Sequence, residues 1–471
     1  MLYKAKDKID KSYDVVVIGS GWGGMTAANR LARNGRKVLL LEAHNKLGGL
    51  ATWFKRRQGE YIFDVSLHGF PVGMKKTCLK YWNKKIADYI EPIKEVRFIN
   101  PQFHISTNFT KEDYKRILRE KFSIKQENID GFFRELATMN FYDNIKMTND
   151  ELFHKFFPGR MDVIRFLLEP ITYANGSTLK DDPAISYGIV FSNFVSKGIY
   201  TFKGGTDFLI SLLKEQMLQN DMDIKLHAKV DQIIVENSRV TGVVVGEQMI
   251  KTRAVVSNSN LKNTIFNLVG EKHFNSDFIE EASQVRLNTS SCQVYMGIRR
   301  GETLPYMGDL VFYSEDPVFS AEALLSPKVS SQAFSLYYPD SRPHMEGHYA
   351  IVSSSNAKYT DWSNLDETQY KERKNFIEKR ALDSIEKIIP GVREKIDFVD
   401  SATPRTIQRY THHLQGASFG TKFEGLEVSK KLHKQIPGLF HSGSVGIIMS
   451  GWLGAANYGV IQSHEVDCYL Q

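Results

Sequence analysis

A chain of 471 residues that is 42% hydrophobic and 24% charged has the make-up of a soluble globular protein long enough for two domains. Its formal net charge of +7 is spread along the sequence without the concentrated basic patch that nucleic acid requires, which leaves only a weak attraction to anionic lipid surfaces open. Cys78, Cys292 and Cys468 are the only cysteines, widely spaced; they exclude a disulfide framework and a metal site and predict a reducing cytoplasm.

The first dozen residues are polar and charged, so no secretory signal is expected. Val15, Val16, Val17 and Ile18 then form a short apolar run suited to a buried parallel strand. Residues 19–24, Gly-Ser-Gly-Trp-Gly-Gly, have the spacing G-x-G-x-x-G. Helix formers over residues 25–34, a stop at Gly35 and a second strand over 38–41 complete a βαβ unit that ends at Glu42 and Ala43. Gly19 permits the tight turn, Gly21 lets the backbone approach a pyrophosphate, and Gly24 lets helix and strand pack closely, so the unit predicts a bound dinucleotide. Glu42 is placed to accept the ribose hydroxyls, and an acid there favours an unphosphorylated ribose over NADP.

Gly48, Gly49 and Leu50 follow within a few residues, then Thr52, Trp53, the basic run Lys55, Arg56, Arg57, and the tetrad Tyr61, Ile62, Phe63, Asp64. This arrangement resembles the flavoprotein class of amine oxidases and carotenoid desaturases, in which a second glycine pair after the ribose acid passes the pyrophosphate of FAD. The resemblance implies FAD rather than NAD.

Residues 76–202 read as helical and rich in aromatic side chains. At Gly204, Gly205 and Thr206 a glycine turn opens a helix through Leu209, Leu212 and Leu213, and valine-rich runs between 224 and 256, with Val230 among them, predict a sheet lying across the nucleotide half. Residues 261–400 mix strands, such as 291–298, with a charged helix around 371–388. A titratable cluster, Arg409, Tyr410, His412 and His413, precedes the uncharged stretch 436–464. Glycines, serines and Asn457 interrupt that stretch, which predicts a strand and a helix in place of a membrane span.

Phe63, Asp64, Val65, Ser66, Leu67, His68 is similar to the F-D-x-G-x-H of retinol saturases. The Gly204, Gly205, Thr206 turn with Val230 resembles that family's central block, and Gly438, Leu439, Phe440, Ser442, Gly443, Ser450, Gly451 its terminal flavin-binding motif. The chain thus resembles the FAD-dependent phytoene desaturase, carotenoid isomerase and retinol saturase group over most of its length. The resemblance implies an α/β fold with a discontinuous Rossmann-like FAD-binding domain (1–75, 203–260 and 401–471) and a mixed α+β substrate domain (76–202 and 261–400). It also implies that Val230, Gly443, Ser450 and Gly451 touch the cofactor. Two departures stand out: Ser444 and Val445 replace an acid after Gly443, and Ser66 replaces a glycine.

The implied reaction is hydride exchange between flavin and a carbon of a polyene or isoprenoid lipid, with His68, Arg409, Tyr410 and His412 as candidate proton-handling groups. A flavin amine oxidase and a non-catalytic flavin-binding protein are the alternative readings. With no secretory signal or membrane span expected and an aromatic helical insertion, the protein is expected to be cytoplasmic and to bind membranes peripherally to collect an insoluble substrate.

Overall fold

The protein is described by a computed structural model covering residues 2–3, 9–140, 147–176, 178–180, 182–345 and 347–471. Five strands run parallel at the centre of its eight-stranded sheet, in the order Asp223–Lys225, Val38–Leu41, Ser12–Ile18, Gln248–Ser257 and Leu439–His441. Val15, Val16, Val17, Leu39 and Leu40 are wholly buried, as strands covered on both faces must be. The fold is α/β and Rossmann-like in its first part, as the βαβ spacing predicts.

The valine-rich runs do not form a separate sheet across the nucleotide half. Gln232–Glu236 and Arg239–Val245 make an antiparallel hairpin on the first half of Gln248–Ser257, and Leu439–His441 pairs with its last three residues. A ten-residue strand is long enough to serve both partners along one edge, and Val230 lies outside the strands. The first helix, Trp22–Arg33, starts inside the glycine loop rather than at residue 25, with the Met25 amide already donating to the Gly21 carbonyl at 2.9 Å. The terminal helix, Gly451–Leu470, packs along it. Gly459 allows that approach: a Cβ there would lie 2.3 Å from the Gly23 carbonyl oxygen.

A second sheet of seven strands runs Ile396–Ala402, Ser290–Ile298, Ala350–Ala357, Ser331–Tyr337, Leu310–Ser314, Val96–Asn100, Phe103–Thr107. Its last two strands come from the region read as helical. Val96–Asn100 alternates buried and half-buried positions, the period-two pattern of a strand, hidden in sequence among the surrounding phenylalanines. One face of the sheet packs on the helix Glu367–Ile388 through Ile377, Ala381 and Ile385. That helix starts where it does because Asp366 and Gln369 cap it reciprocally.

The other face meets a lobe of helices, among them Lys111–Glu120, Met161–Asn175 and Ala184–Val195. The high aromatic content has two destinations here. Phe132, Phe153 and Phe166 fill the lobe's own core, where Tyr114 stacks on Phe166 at 4.5 Å, whereas Phe109, Phe194 and Phe312 face a chamber. Among the described residues no helix is long and apolar enough to cross a membrane.

Candidate functional site

The two sheets and the helical lobe enclose one chamber of about 1890 Å³, beyond the roughly 300–1,000 Å³ of ordinary small-ligand clefts. Its walls differ in chemistry. One end is glycine-rich backbone with a carboxylate; the other, formed by side chains such as Phe109, Ile171, Val190, Phe194 and Phe312, is apolar.

At the glycine end, Ser20 ties three expected features together. Its amide and hydroxyl donate to one oxygen of Glu42 at 2.8 and 2.6 Å, and its carbonyl and hydroxyl accept from the Gly48 amide at 3.0 and 3.2 Å. The other Glu42 oxygen accepts from the His44 amide at 2.8 Å. The second glycine pair thereby lies on the first: a Cβ on Gly49, at φ +60°, would sit 3.1 Å from the Gly21 Cα. Gly21 itself is crowded from behind, since its Cβ would lie 2.7 Å from Asn258 Nδ2. A side chain at 21 therefore collides first with Asn258, which also lines the chamber. Two glycine strips and a fixed acid around open space fit a dinucleotide with an unphosphorylated ribose.

Gly19, Gly21, Glu42, Ala43, Gly48, Gly49, Leu50, Val230, Ser450 and Gly451 all line this chamber, as do His68, Arg409, Tyr410 and His412. Gly24 and Gly443 do not. Gly24 packs against the Gly19 carbonyl, 2.1 Å from where its Cβ would be. Gly443 sits against Ser259 and His441, with 2.3 Å left to the Ser259 carbonyl oxygen, so its small size serves packing.

The Phe63, Asp64 motif has a mechanical purpose that sequence does not reveal. Asp64 Oδ1 accepts from the Thr206 amide at 2.7 Å and from Arg342 at 2.7 Å, and Arg342 also donates to Asp207 at 2.6 Å. Burial works against the guanidinium's charge, but the two carboxylates outweigh it and hold its pKa above the ordinary value. Arg342 thus clasps the turn at Gly204 and Gly205 to the strand that leads to His68. No motif flags it, because it lies 278 residues from Asp64 in sequence.

Both departures from the family pattern are accommodated. Ser66 Oγ turns to the Leu50 carbonyl at 2.8 Å and accepts a 3.5 Å contact from Trp452 Nε1, while Ser444 lines the chamber and Val445 joins the core. The amino end of the terminal helix reaches the same wall through Ser450, Gly451 and Trp452, and Trp452 stacks on Phe70 at 5.1 Å.

His68 follows Ser66 into the chamber wall. Its Nδ1 is 2.8 Å from Ser335 Oγ, its Nε2 is buried without a protein partner, and burial lowers its pKa to about 4. Tyr337 bonds the preceding carbonyl, that of Leu67. The ring is therefore neutral at physiological pH.

Arg409, Tyr410 and His412 are placed elsewhere. They end the helix Pro404–Thr411 and its cap, Tyr410 is 53% exposed, and its ring meets His44 edge-on at 5.5 Å. The cluster thus stands at the Glu42 end of the chamber, apart from His68. His413 also lines the chamber, but its Nδ1 bonds the Ala417 carbonyl at 2.9 Å, and burial lowers its pKa.

His68, His348 and His441 are each lowered by burial to a pKa of about 4. The unfolded chain binds their protons near pH 6.5 and the folded one only near 4, so stability is full above that window and falls as pH drops through it. Acid titration of the unfolding midpoint from pH 7 to 4 should show this loss; a flat profile would refute it.

Residues 17–84 match the family described as NAD(P)-binding Rossmann-like domain. Over its whole length the chain is similar to a prolycopene isomerase, chloroplastic, of Arabidopsis thaliana, 25% identical across 98% of this chain and 84% of the relative. An all-trans-retinol 13,14-reductase of Danio rerio is 22% identical across 95% and 85%. These matches bear out the resemblance read from the motifs. Among solved structures, a putrescine oxidase bound to putrescine shares the fold with a TM-score of 0.65 at 13% identity, covering 97% of this chain and 99% of that one.

Proposed function

We propose that the chain is an FAD-dependent oxidoreductase that exchanges a hydride with a carbon of a polyene or isoprenoid lipid, so that C=C bonds are formed, saturated or isomerised. The observation that carries the reading is the continuity of the chamber, which joins a dinucleotide cradle to an aromatic, apolar lobe without a wall between them. The relatives named for prolycopene and retinol support the substrate class. Bound FAD would supply the redox centre that accepts or gives the hydride. Gly21, Gly48, Gly49, Glu42 and Val230 would hold its nucleotide half, and the amides at Gly451 and Trp452 would favour negative charge on the reduced ring. His68, neutral and facing the same space, would orient or relay a proton; Arg409, Tyr410 and His412 would border the adenosine end. Residues 76–202 and 261–400 would cover the flavin as the substrate domain.

The test is anaerobic incubation of the purified, flavin-loaded protein with polyenes and amines, read by flavin spectrum and product mass. Bleaching by polyenes alone is the expected result. Bleaching by amines would favour an amine oxidase, a reading weakened by the absence of a carboxylate among the described side chains of the apolar lobe that line the chamber. Gly21→Val should abolish FAD content, because its Cβ would lie 2.7 Å from Asn258 Nδ2 and its methyl groups would occupy the close approach that a pyrophosphate needs; full flavin in that variant would sink the cofactor assignment.

A cytoplasmic protein collecting an insoluble substrate would bind membranes peripherally, and the helix Gly73–Tyr81 exposes Lys76, Leu79 and Lys80 together. Flotation with anionic liposomes at low salt is expected. Protein that stays at the bottom of the gradient would remove the membrane part and leave the flavin part intact.

A further inference from the structure

The chamber face of the seven-stranded sheet is laid out in cross-strand rows. In one row Ala402, Gln293, Ser354, Ala333 and Phe312 stand opposite one another on five adjoining strands, and all five line the chamber. Asn356, two residues beyond Ser354 and so on the same face, lines it too. The row therefore passes from polar at Gln293 and Ser354 to apolar at Ala333 and Phe312, where the helical lobe takes over.

These polar groups are only partly used within the protein. Gln293 Oε1 accepts from the Tyr295 hydroxyl at 2.7 Å, which leaves the Gln293 amide nitrogen without a protein partner among the described residues. Asn356 Nδ2 gives one hydrogen bond to the Thr172 carbonyl at 2.9 Å, and its Oδ1, like the Ser354 hydroxyl, has no protein partner among the described residues. A ligand made only of carbon and hydrogen would cover them and leave them unpaired, at a cost of about tenfold in affinity for each group. A carboxylate would be no better: among the described residues, the chamber lining supplied by this row and by the helical lobe contains no Lys or Arg, and the lining cations beyond Ala402, Lys374 and Arg405, already face Asp400 and the Tyr370 ring.

We propose that Gln293, Ser354 and Asn356 form a head-group subsite that takes one neutral oxygen function, a hydroxyl or a carbonyl, of an otherwise apolar conjugated chain. The hydrocarbon part lies across Ala333 and Phe312 and enters the lobe between Phe109, Ile171 and Phe194. The inference rests on the polyene reading of the function and adds the end group that the chain selects and the residues that select it.

The experiment compares binding of retinol, retinal, retinoic acid and the hydrocarbon with a methyl group in place of their oxygen function, by ligand depletion on the FAD-loaded protein. Alcohol and aldehyde should bind at least about tenfold more tightly than the hydrocarbon and the acid. In the Gln293→Leu, Ser354→Ala double variant that preference should shrink below about threefold while hydrocarbon affinity holds or rises. Flavin content and unfolding midpoint verify the fold, and the near-isosteric Ser354→Ala alone, expected to lose part of the preference, gives the reading if Gln293→Leu disturbs it. Equal affinity for hydrocarbon and alcohol, tightest binding of the acid, or a preference that survives the substitutions would overturn the subsite alone. Failure of every polyene to bind the flavin-loaded protein would overturn the polyene reading and the subsite with it.

Discussion

Arg342→Ala is expected to lower the stability of the protein by about 3–5 kcal/mol, the range for removing one partner of a buried ion pair. Arg342 and Asp64 are each about 2% exposed, so the carboxylate left behind can neither reach water nor find another cation. Its remaining partners are the Thr206 amide and hydroxyl, which cannot offset a full charge. Adding Asp64→Asn to the variant should return part of the loss by removing that charge, even though the clasp is still broken. Urea denaturation of the three proteins decides the matter: a loss below about 1 kcal/mol for Arg342→Ala would mean that the network contributes little beyond packing. Because Asp64 leads directly into Val65, Ser66 and His68, the single variant should also release flavin more readily than the double variant does.

The contrast between that network and the glycine loop shows what the sequence can and cannot disclose. Gly19, Gly21, Gly24, Glu42, Gly48 and Gly49 are legible because a βαβ turn forces local spacing, and the structure finds all but Gly24 on the chamber wall. Ser20 sits in the same loop, yet its bonds to Glu42 and Gly48 depend on a return of the chain that no local pattern encodes. The strand Val96–Asn100 was masked for a related reason: five residues of alternation are a weaker signal than the helical, phenylalanine-rich sequence around them, and pairing with Leu310–Ser314, more than two hundred positions away, decides the issue. Arg409, Tyr410 and His412 read from sequence as candidate proton-handling groups beside the terminal flavin motif, as His68 does beside its own. The fold instead turns the helix Pro404–Thr411 so that its end meets His44.

His68→Ala should keep FAD bound and slow the chemical step by roughly a hundredfold, the usual loss when a proton-handling group is removed. The structure narrows how that group works. With a pKa lowered by burial to about 4, the imidazole is uncharged near neutral pH, so the proposed proton handling would go through its N–H or its lone pair and not through imidazolium. Ser335 Oγ holds Nδ1 at 2.8 Å and leaves Nε2 buried and unpaired, so a substrate or a single water would engage it only after the ring or a neighbouring side chain shifts. Turnover should accordingly show no His68-dependent inflection between pH 6 and 8, and His68→Gln, which keeps a hydrogen-bonding amide, should recover part of the rate. His412→Ala, at the exposed Glu42 end, should change turnover little. An inflection near pH 6.5 that vanishes in His68→Ala would show that the ring works in its charged form. Unchanged turnover in His68→Ala would leave it a buried structural histidine, and flavin loss from that variant would make its first duty the placement of the cofactor wall.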